Sequence, residues 1–187
     1  MKKSFVAFRP TIFLLFCGLI ALSGCEKVQK TLTMPTPSKQ AVAIINPTSG
    51  NTVTGMAVFS LTDKTVMLHI EIENASPGLH GVHIHEYGDC SATDGTSAGG
   101  HWNPTDVAHG KWGEGEFHLG DIGNITVGDD GTGTIELSTE LWEIGTGSII
   151  DVVGKSIIVH ADADDFVSQP SGNAGARIGC GVIELAE

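Results

Sequence analysis

Six of the eight histidines in this chain fall within one stretch, Leu79 to Asp121, at positions 80, 83, 85, 101, 109 and 118. The stretch is rich in glycine and ends in a carboxylate, Asp121. Imidazole at that density is a poor packing solution. It is a good metal-binding one, because neutral imidazole is the commonest metal-ligating side chain. A fold for this chain therefore has to seat a long, histidine-bearing segment on a rigid support. The remaining sequence reads as scaffold and address for that segment.

The support reads as β-structure. Between Lys64 and Glu73, Val66, Leu68, Ile70 and Ile72 face one way, and Met67, His69 and Glu71 face the other. A period of two marks a half-buried strand. His69 lies on its polar face and reads as a solvated histidine. In the short strand Gly81 to Tyr87, Val82 and Ile84 point to the core, so His83 and His85 share the opposite face. Two imidazoles side by side on a strand can chelate one ion. Residues 88–121 then carry eight glycines and little strand character. Loops of that length are uncommon unless functional.

Strand-like runs also cover 41–46, 52–61, 122–127, 132–138, 155–159 and 181–185. The third and fourth of these flank the turn Gly128-Asp129-Asp130-Gly131 and form a hairpin. His160 ends the fifth. A second loop, 161–176, precedes the last strand, and Asp151 sits in a connecting segment between Ile149-Ile150 and Val152-Val153. Eight strands, no internal repeat and no long helical pattern predict an all-β fold. The expected architecture is an eight-stranded Greek-key β-barrel or sandwich with a long metal-binding loop. A length of 187 residues suits one domain with a real core.

The N-terminus reads as an address. Lys2, Lys3 and Arg9 form a basic region, and residues 11–22 form an apolar run too short for a comfortable membrane span. Leu22-Ser23-Gly24-Cys25 follows and resembles the lipobox of bacterial lipoproteins. Residues 1–24 are expected to be a lipoprotein signal peptide, with Cys25 lipidated and residues 25–40 a flexible tether to a domain at 41–187. Glu26, rather than an aspartate, follows the cysteine. By analogy with bacterial lipoproteins, this favours the outer over the inner membrane. The expected location is the cell envelope or periplasm, with membrane attachment through the lipid. Cys17 leaves with the signal and Cys25 is occupied, so Cys90 and Cys180 remain for one disulfide in an exported domain. Closing a loop of roughly 90 residues stabilises by ~4 kcal/mol in the chain-entropy model.

The formal charge is −12 before cleavage and falls further once three basic residues are removed. With no basic run, the field of such a chain excludes nucleic acid as a partner.

The strings GVHIHEYGDC, TSAGGHWNP, FHLGDIGN, IVHADADD and GNAGARIGCGVI occur in that order. Together they resemble copper/zinc superoxide dismutase over residues 41–187. The resemblance implies dismutation of superoxide to dioxygen and hydrogen peroxide outside the cytoplasm. It implies one redox-cycling copper and one structural zinc per chain. By motif, His83, His85, His101 and His160 match the copper ligands. His101, His109, His118 and Asp121 match the zinc ligands, with His101 bridging the metals and handling a proton. Asp164 matches a carboxylate that accepts hydrogen bonds from a copper-bound and a zinc-bound histidine, by position His83 and His109. Arg177 matches the arginine beside the open copper face, where it attracts the superoxide anion. Cys90 and Cys180 match the family disulfide, and His80 a supporting histidine.

Loop 161–176 is short for the family and carries no lysine. This leaves Lys111, in the metal loop, as a candidate to help steer an anion. Family members dimerise through different faces, so a homodimer is a candidate assembly without an assigned interface. Two alternatives come from other classes. A non-catalytic copper-binding or storage lipoprotein needs the ligands but neither Arg177 nor Asp164. A zinc hydrolase lacks its general base, because the His-Glu pair of HIHEY lies on a strand rather than in a helical H-E-x-x-H.

Overall fold

The computed structural model describes residues 36–187. The expected signal peptide, Cys25 and most of the expected tether lie outside the described residues. Nine strands follow in chain order: β1 (Lys39–Pro47), β2 (Thr54–Thr62), β3 (Thr65–Glu73), β4 (Gly78–His85), β5 (Gly123–Val127), β6 (Gly133–Thr139), β7 (Ser156–His160), β8 (Arg177–Val182) and the two-residue β9 (Glu184–Leu185). The only helical segment among the described residues is a single 3-10 turn, Thr96–Ala98.

All strand pairings are antiparallel, and they close on themselves. The order runs β2-β3-β6-β5-β4-β7-β8-β1, and β1 pairs back onto β2. β9 continues the path of β8 beyond Ile183 and pairs with β1. Closure leaves few exposed strand edges. The chain leaves β3, forms β4 and β5, and returns as β6 beside β3. This crossover is the Greek-key feature, and eight strands complete the barrel.

Alternation decides the interior. Val66, Leu68, Ile70 and Ile72 of β3 are all buried. Ala41, Ala43 and Ile45 of β1 and Ala57 and Phe59 of β2 meet them from the neighbouring strands. Burying a side chain such as Phe59 contributes about 1.5–3 kcal/mol. The opposite face of β3 is solvated, and His69 there lies between Glu71 and Glu136 at 2.9 and 3.1 Å.

β4 and β7 differ, because both of their faces are covered. Val82, Ile84, Ile157 and Val159 face the barrel core. On the outer side, Ile158, Cys180 and Ala98 form a small second cluster with Cys90 beneath the long loop. The Cys90–Cys180 disulfide spans 5.8 Å between Cα atoms and pins that loop to β8. Covering the outer face also buries His83 and His85.

Several boundaries differ from the sequence pattern; β4 runs Gly78–His85 rather than Gly81 to Tyr87. β1 starts at Lys39, two residues into the segment read as tether, because Lys39 and Gln40 pair with Leu61 and Ser60. β8 starts at Arg177, four residues before the expected strand. Its glycines resemble loop residues but serve close packing. A Cβ on Gly181 would lie 2.6 Å from the Ile44 carbonyl oxygen.

Candidate metal centre

The long loop is stitched to the barrel by backbone bonds. Ile84 N–H donates to Gly120, Trp102 N–H to Ile84, and Glu86 N–H to Gly100. Trp142, buried in the core, donates its indole N–H to the Leu119 carbonyl at 2.9 Å. These bonds bring the loop histidines over His83 and His85 on β4, while β7 delivers His160 to the same place.

Two four-residue groups result. In each, ligand-capable atoms lie within 4.8 Å of one another. The first is His83, His85, His101 and His160; the second is His101, His109, His118 and Asp121. His101 belongs to both. Its ring centroid is 3.9 Å from that of His83 and 5.3 Å from that of His109.

Each ring is oriented by a hydrogen bond on one nitrogen. His83 Nε2 donates to Asp164 Oδ2 at 2.8 Å, and His109 Nε2 to Asp164 Oδ1 at 3.0 Å. His85 Nδ1 donates to the Gly99 carbonyl at 3.0 Å, His160 Nδ1 to that of Gly175 at 3.3 Å, and His118 Nε2 to that of Val107 at 3.1 Å. The opposite nitrogens are buried without any hydrogen-bond partner: His83 Nδ1, His85 Nε2, His160 Nε2, His109 Nδ1 and His118 Nδ1. His101 Nε2 is orphaned in the same way, while His101 Nδ1 lies 2.8 Å from Asp121 Oδ1. Unpaired buried polar atoms are costly, and six converging on two points fit two metal ions.

The donor sets differ in chemistry. The first offers four imidazole nitrogens, a set suited to Cu(II). The second offers three nitrogens and one carboxylate oxygen. Asp121 Oδ1 lies 2.8, 3.0 and 3.2 Å from the Nδ1 atoms of His101, His109 and His118. Ligands bound at about 2.0 Å around a tetrahedral ion sit about 3.3 Å apart, so this spacing fits zinc. Asp121 Oδ2 is fixed by the amides of Gly110 and His118, at 3.1 and 2.8 Å.

Electrostatics separates the sets as well. Burial, aided by repulsion from His83, lowers the His160 pKa to about 3. Burial lowers that of His101 to about 4, against the pull of Asp121. Burial also takes His85 well below its ordinary value. These rings are neutral at pH 7, the form that ligates metal. At His109 burial is outweighed by the pull of the Asp121 and Asp164 carboxylates, and the pKa rises to about 9. At Asp121 burial acts upward, but the three histidines outweigh it and hold the carboxyl well below the usual range. Both shifts reflect the attraction between the buried carboxylates, Asp121 and Asp164, and positive charge at the second set.

A cavity of about 450 Å³ opens onto the first set. Arg177 lines it, with NH1 and NH2 donating to the Gly95 and Gly99 carbonyls at 2.6 Å each. Gly99 therefore accepts from both Arg177 and His85. Burial lowers the Arg177 pKa somewhat, but a guanidinium stays charged. Lys111 does not line this cavity; it is exposed and pairs with Glu114 at 2.5 Å. His80 stays outside both groups, with Nδ1 2.8 Å from the His160 carbonyl oxygen and Nε2 2.8 Å from that of Ser76.

Sequence reading missed the carbonyls of Gly99, Gly175 and Val107, because a backbone acceptor leaves no mark on residue identity. It also missed Asn124, whose side chain bonds both the N–H and the C=O of Asp164 at 2.7 and 2.9 Å.

Fold and site define a closed β-barrel protein with two adjoining groups of ligand-capable side chains that share one imidazole. Comparison with known proteins gives the particular family. The sequence model of copper/zinc superoxide dismutase matches residues 53–183. The extracellular Cu-Zn superoxide dismutase of Brugia pahangi is 38% identical over 170 residues, covering 85% of this chain and 81% of its own. The Cu-Zn superoxide dismutase of Onchocerca volvulus is 40% identical over 161 residues, covering 79% and 97% respectively. Cu-Zn superoxide dismutase 2 of Mesembryanthemum crystallinum is 40% identical over 155 residues, covering 78% and 95%. The chain belongs to the copper/zinc superoxide dismutase family. It is an oxidoreductase of that family, with copper and zinc as its metals.

Proposed function

We propose that His83, His85, His101 and His160 hold copper, that His101, His109, His118 and Asp121 hold zinc, and that the pair dismutates superoxide. The pattern of orphaned nitrogens carries this reading: six buried imidazole atoms without partners aim at two centres that share His101. Copper bound in the first set supplies one-electron redox chemistry. Zinc has a filled d shell and takes no part in it. The chain's own groups do the rest. Arg177 presents a fixed positive charge to an anion entering the cavity. His101 Nε2 is the atom placed to hold and hand on a proton. Asp164, bonded to His83 and His109, fixes the orientation of one ring in each set. Two superoxide ions and two protons give one dioxygen and one hydrogen peroxide.

The proposed protein is of the bacterial envelope type. It works outside the cytoplasm and is anchored by lipid on Cys25, in the outer membrane rather than the inner. The lipobox-like LSGC after a short apolar run supports the anchor, and the similarity to an extracellular relative supports the compartment. The storage reading explains the ligands but leaves the placement of Arg177 and Asp164 without a purpose.

The deciding experiment measures superoxide dismutation and metal content on one purified sample. One copper and one zinc per chain, with turnover lost on copper removal, is the expected result. Bound copper with turnover no better than the free ion would instead identify a storage protein. Labelled palmitate should enter the wild-type chain and not Cys25→Ala; incorporation in neither removes the anchor.

A further inference from the structure

His109 is the histidine of the second set that draws least on regular structure. No strand carries it, yet it is only 4% exposed. Its backbone N–H and C=O therefore need partners. One side chain supplies both. Gln169 Oε1 accepts from His109 N–H at 2.9 Å, and Gln169 Nε2 donates to the His109 carbonyl at 2.8 Å. A primary amide offers an acceptor and a donor side by side in one plane, whereas an ionised carboxylate offers acceptors alone.

Gln169 lies in loop 161–176, the loop that also carries Asp164. Asp164 Oδ1 takes the ring of the same histidine, at His109 Nε2. One loop thus grips His109 by its backbone and by its ring. The loop closes through a compact turn. Asp165 N–H donates to Gly172, Gly172 N–H donates to Ser168, and the Ser168 amide and hydroxyl donate to the Asp165 carboxylate. Gly172, at φ +64°, presses directly on the gripped pair. A Cβ there would lie 1.8 Å from Asp164 Oδ1 and 2.7 Å from His109 Nε2.

The geometry points to Gln169 as a positioning residue: it clamps the His109 backbone so that Nδ1 stays aimed at the centre of the second set, and thereby governs how long a metal is retained there. The inference rests on reading that set as the zinc site. It gives the short second loop a task that does not depend on steering substrate.

Two variants separate the clamp from general support. Gln169→Met keeps the length and removes both bonds; Gln169→Glu keeps the acceptor and loses the donor. Zinc and copper release into a chelator are followed on fully loaded protein, and amide exchange at His109 on metal-free protein. Removing an orienting partner typically weakens metal binding about 10–100-fold, so Gln169→Met should release zinc faster by about that factor, with copper release changed less than about twofold and Gln169→Glu in between. The His109 amide should exchange faster in Gln169→Met, where its acceptor is gone, and stay close to wild type in Gln169→Glu, which keeps that acceptor. Unchanged zinc release in both variants, or zinc and copper release accelerated alike, overturns the proposal. Wild-type protein that takes up no zinc at His109 sinks the metal assignment itself, and shows this before any variant is made.

Discussion

The β1-β2-β3-β6 side of the barrel and the side that carries the proposed metal centre are held together by different forces. On the first, regular ladders do the work. β2 and β3 pair without a break from Thr54↔Glu73 to Thr62↔Thr65, and inward residues alternate with outward ones. On the second, long segments have no ladder, and side chains stand in for it. Asp121 binds two amides, Asn124 brackets Asp164, and Gln169 brackets His109. Backbone polar groups must be satisfied in either case. Where the chain cannot satisfy them by pairing with itself, buried carboxylates and amides do so. Those carboxylates also make a cation favourable. Metal binding and local folding are therefore coupled on one side and nearly independent on the other.

Metal removal should split the two sides most sharply. A ligand at 1,000 times its dissociation constant stabilises the folded state by about 4 kcal/mol, so chelation should lower stability by about that much. Amide exchange should rise across 100–121 and 161–176, while β2, β3 and β6 stay protected. Uniform loss of protection over the whole barrel would break the comparison.

The mirror experiment is Phe59→Ala, in the ladder side. Phe59 is fully buried and packs 5.8 Å from Trp142, centroid to centroid. The cavity should cost about 3–5 kcal/mol in denaturant unfolding. Release of bound metal into a chelator should change far less than on loss of a ligand, because Phe59 touches no proposed ligand and reaches the loop only through Trp142, which bonds the Leu119 carbonyl.

The sequence made these two sides unequally legible. β3 could be read from its period of two, because one face is apolar and the other polar. β4 could be read for the same reason, and its second face announced the site through His83 and His85. Histidines converging from positions 101 to 160 were legible only through motif resemblance, since nothing in the spacing says which loop crosses which strand. The backbone clamps were not legible at all. Gln169 and Asn124 look like ordinary loop polars until the fold places them against His109 and Asp164. Asp151 is the plainest case, a lone carboxylate between two apolar pairs. In the structure it is buried and accepts the amides of Gly145, Thr146, Gly147 and Val153, at 2.7–3.0 Å.

Asp151 sharpens the comparison, because it uses the same device away from the metals. Burial acts to raise its pKa, but the four amides outweigh it and the carboxyl is held below its usual value. A depressed folded pKa stabilises above the unfolded value, about 3.9, and the contribution is lost as pH falls through the folded value. Asp151→Asn should lower stability at pH 7 by about 1–3 kcal/mol, since an amide N–H₂ then faces donors. Unfolding curves of wild type and variant should converge in acid. A gap that persists below both pKa values would mean that packing, not charge, sets the effect.

His69 tests the opposite limit, a charged cluster on the ladder side. Hydrogen bonding to Glu71 comes first among the causes that raise its pKa, with burial opposing and Glu136 adding to the rise. A raised pKa gives stability fully present below the unfolded value and lost as pH rises through the folded one. The side chain is more than a third exposed, so solvent screens the pair. His69→Ala should therefore cost only about 0.2–1 kcal/mol at pH 6 and less at pH 9. Metal release should not change at either pH. Titration of the His69 ring by NMR reads the shift directly, and a midpoint at or below that of a free histidine would show that the two glutamates do not hold its proton.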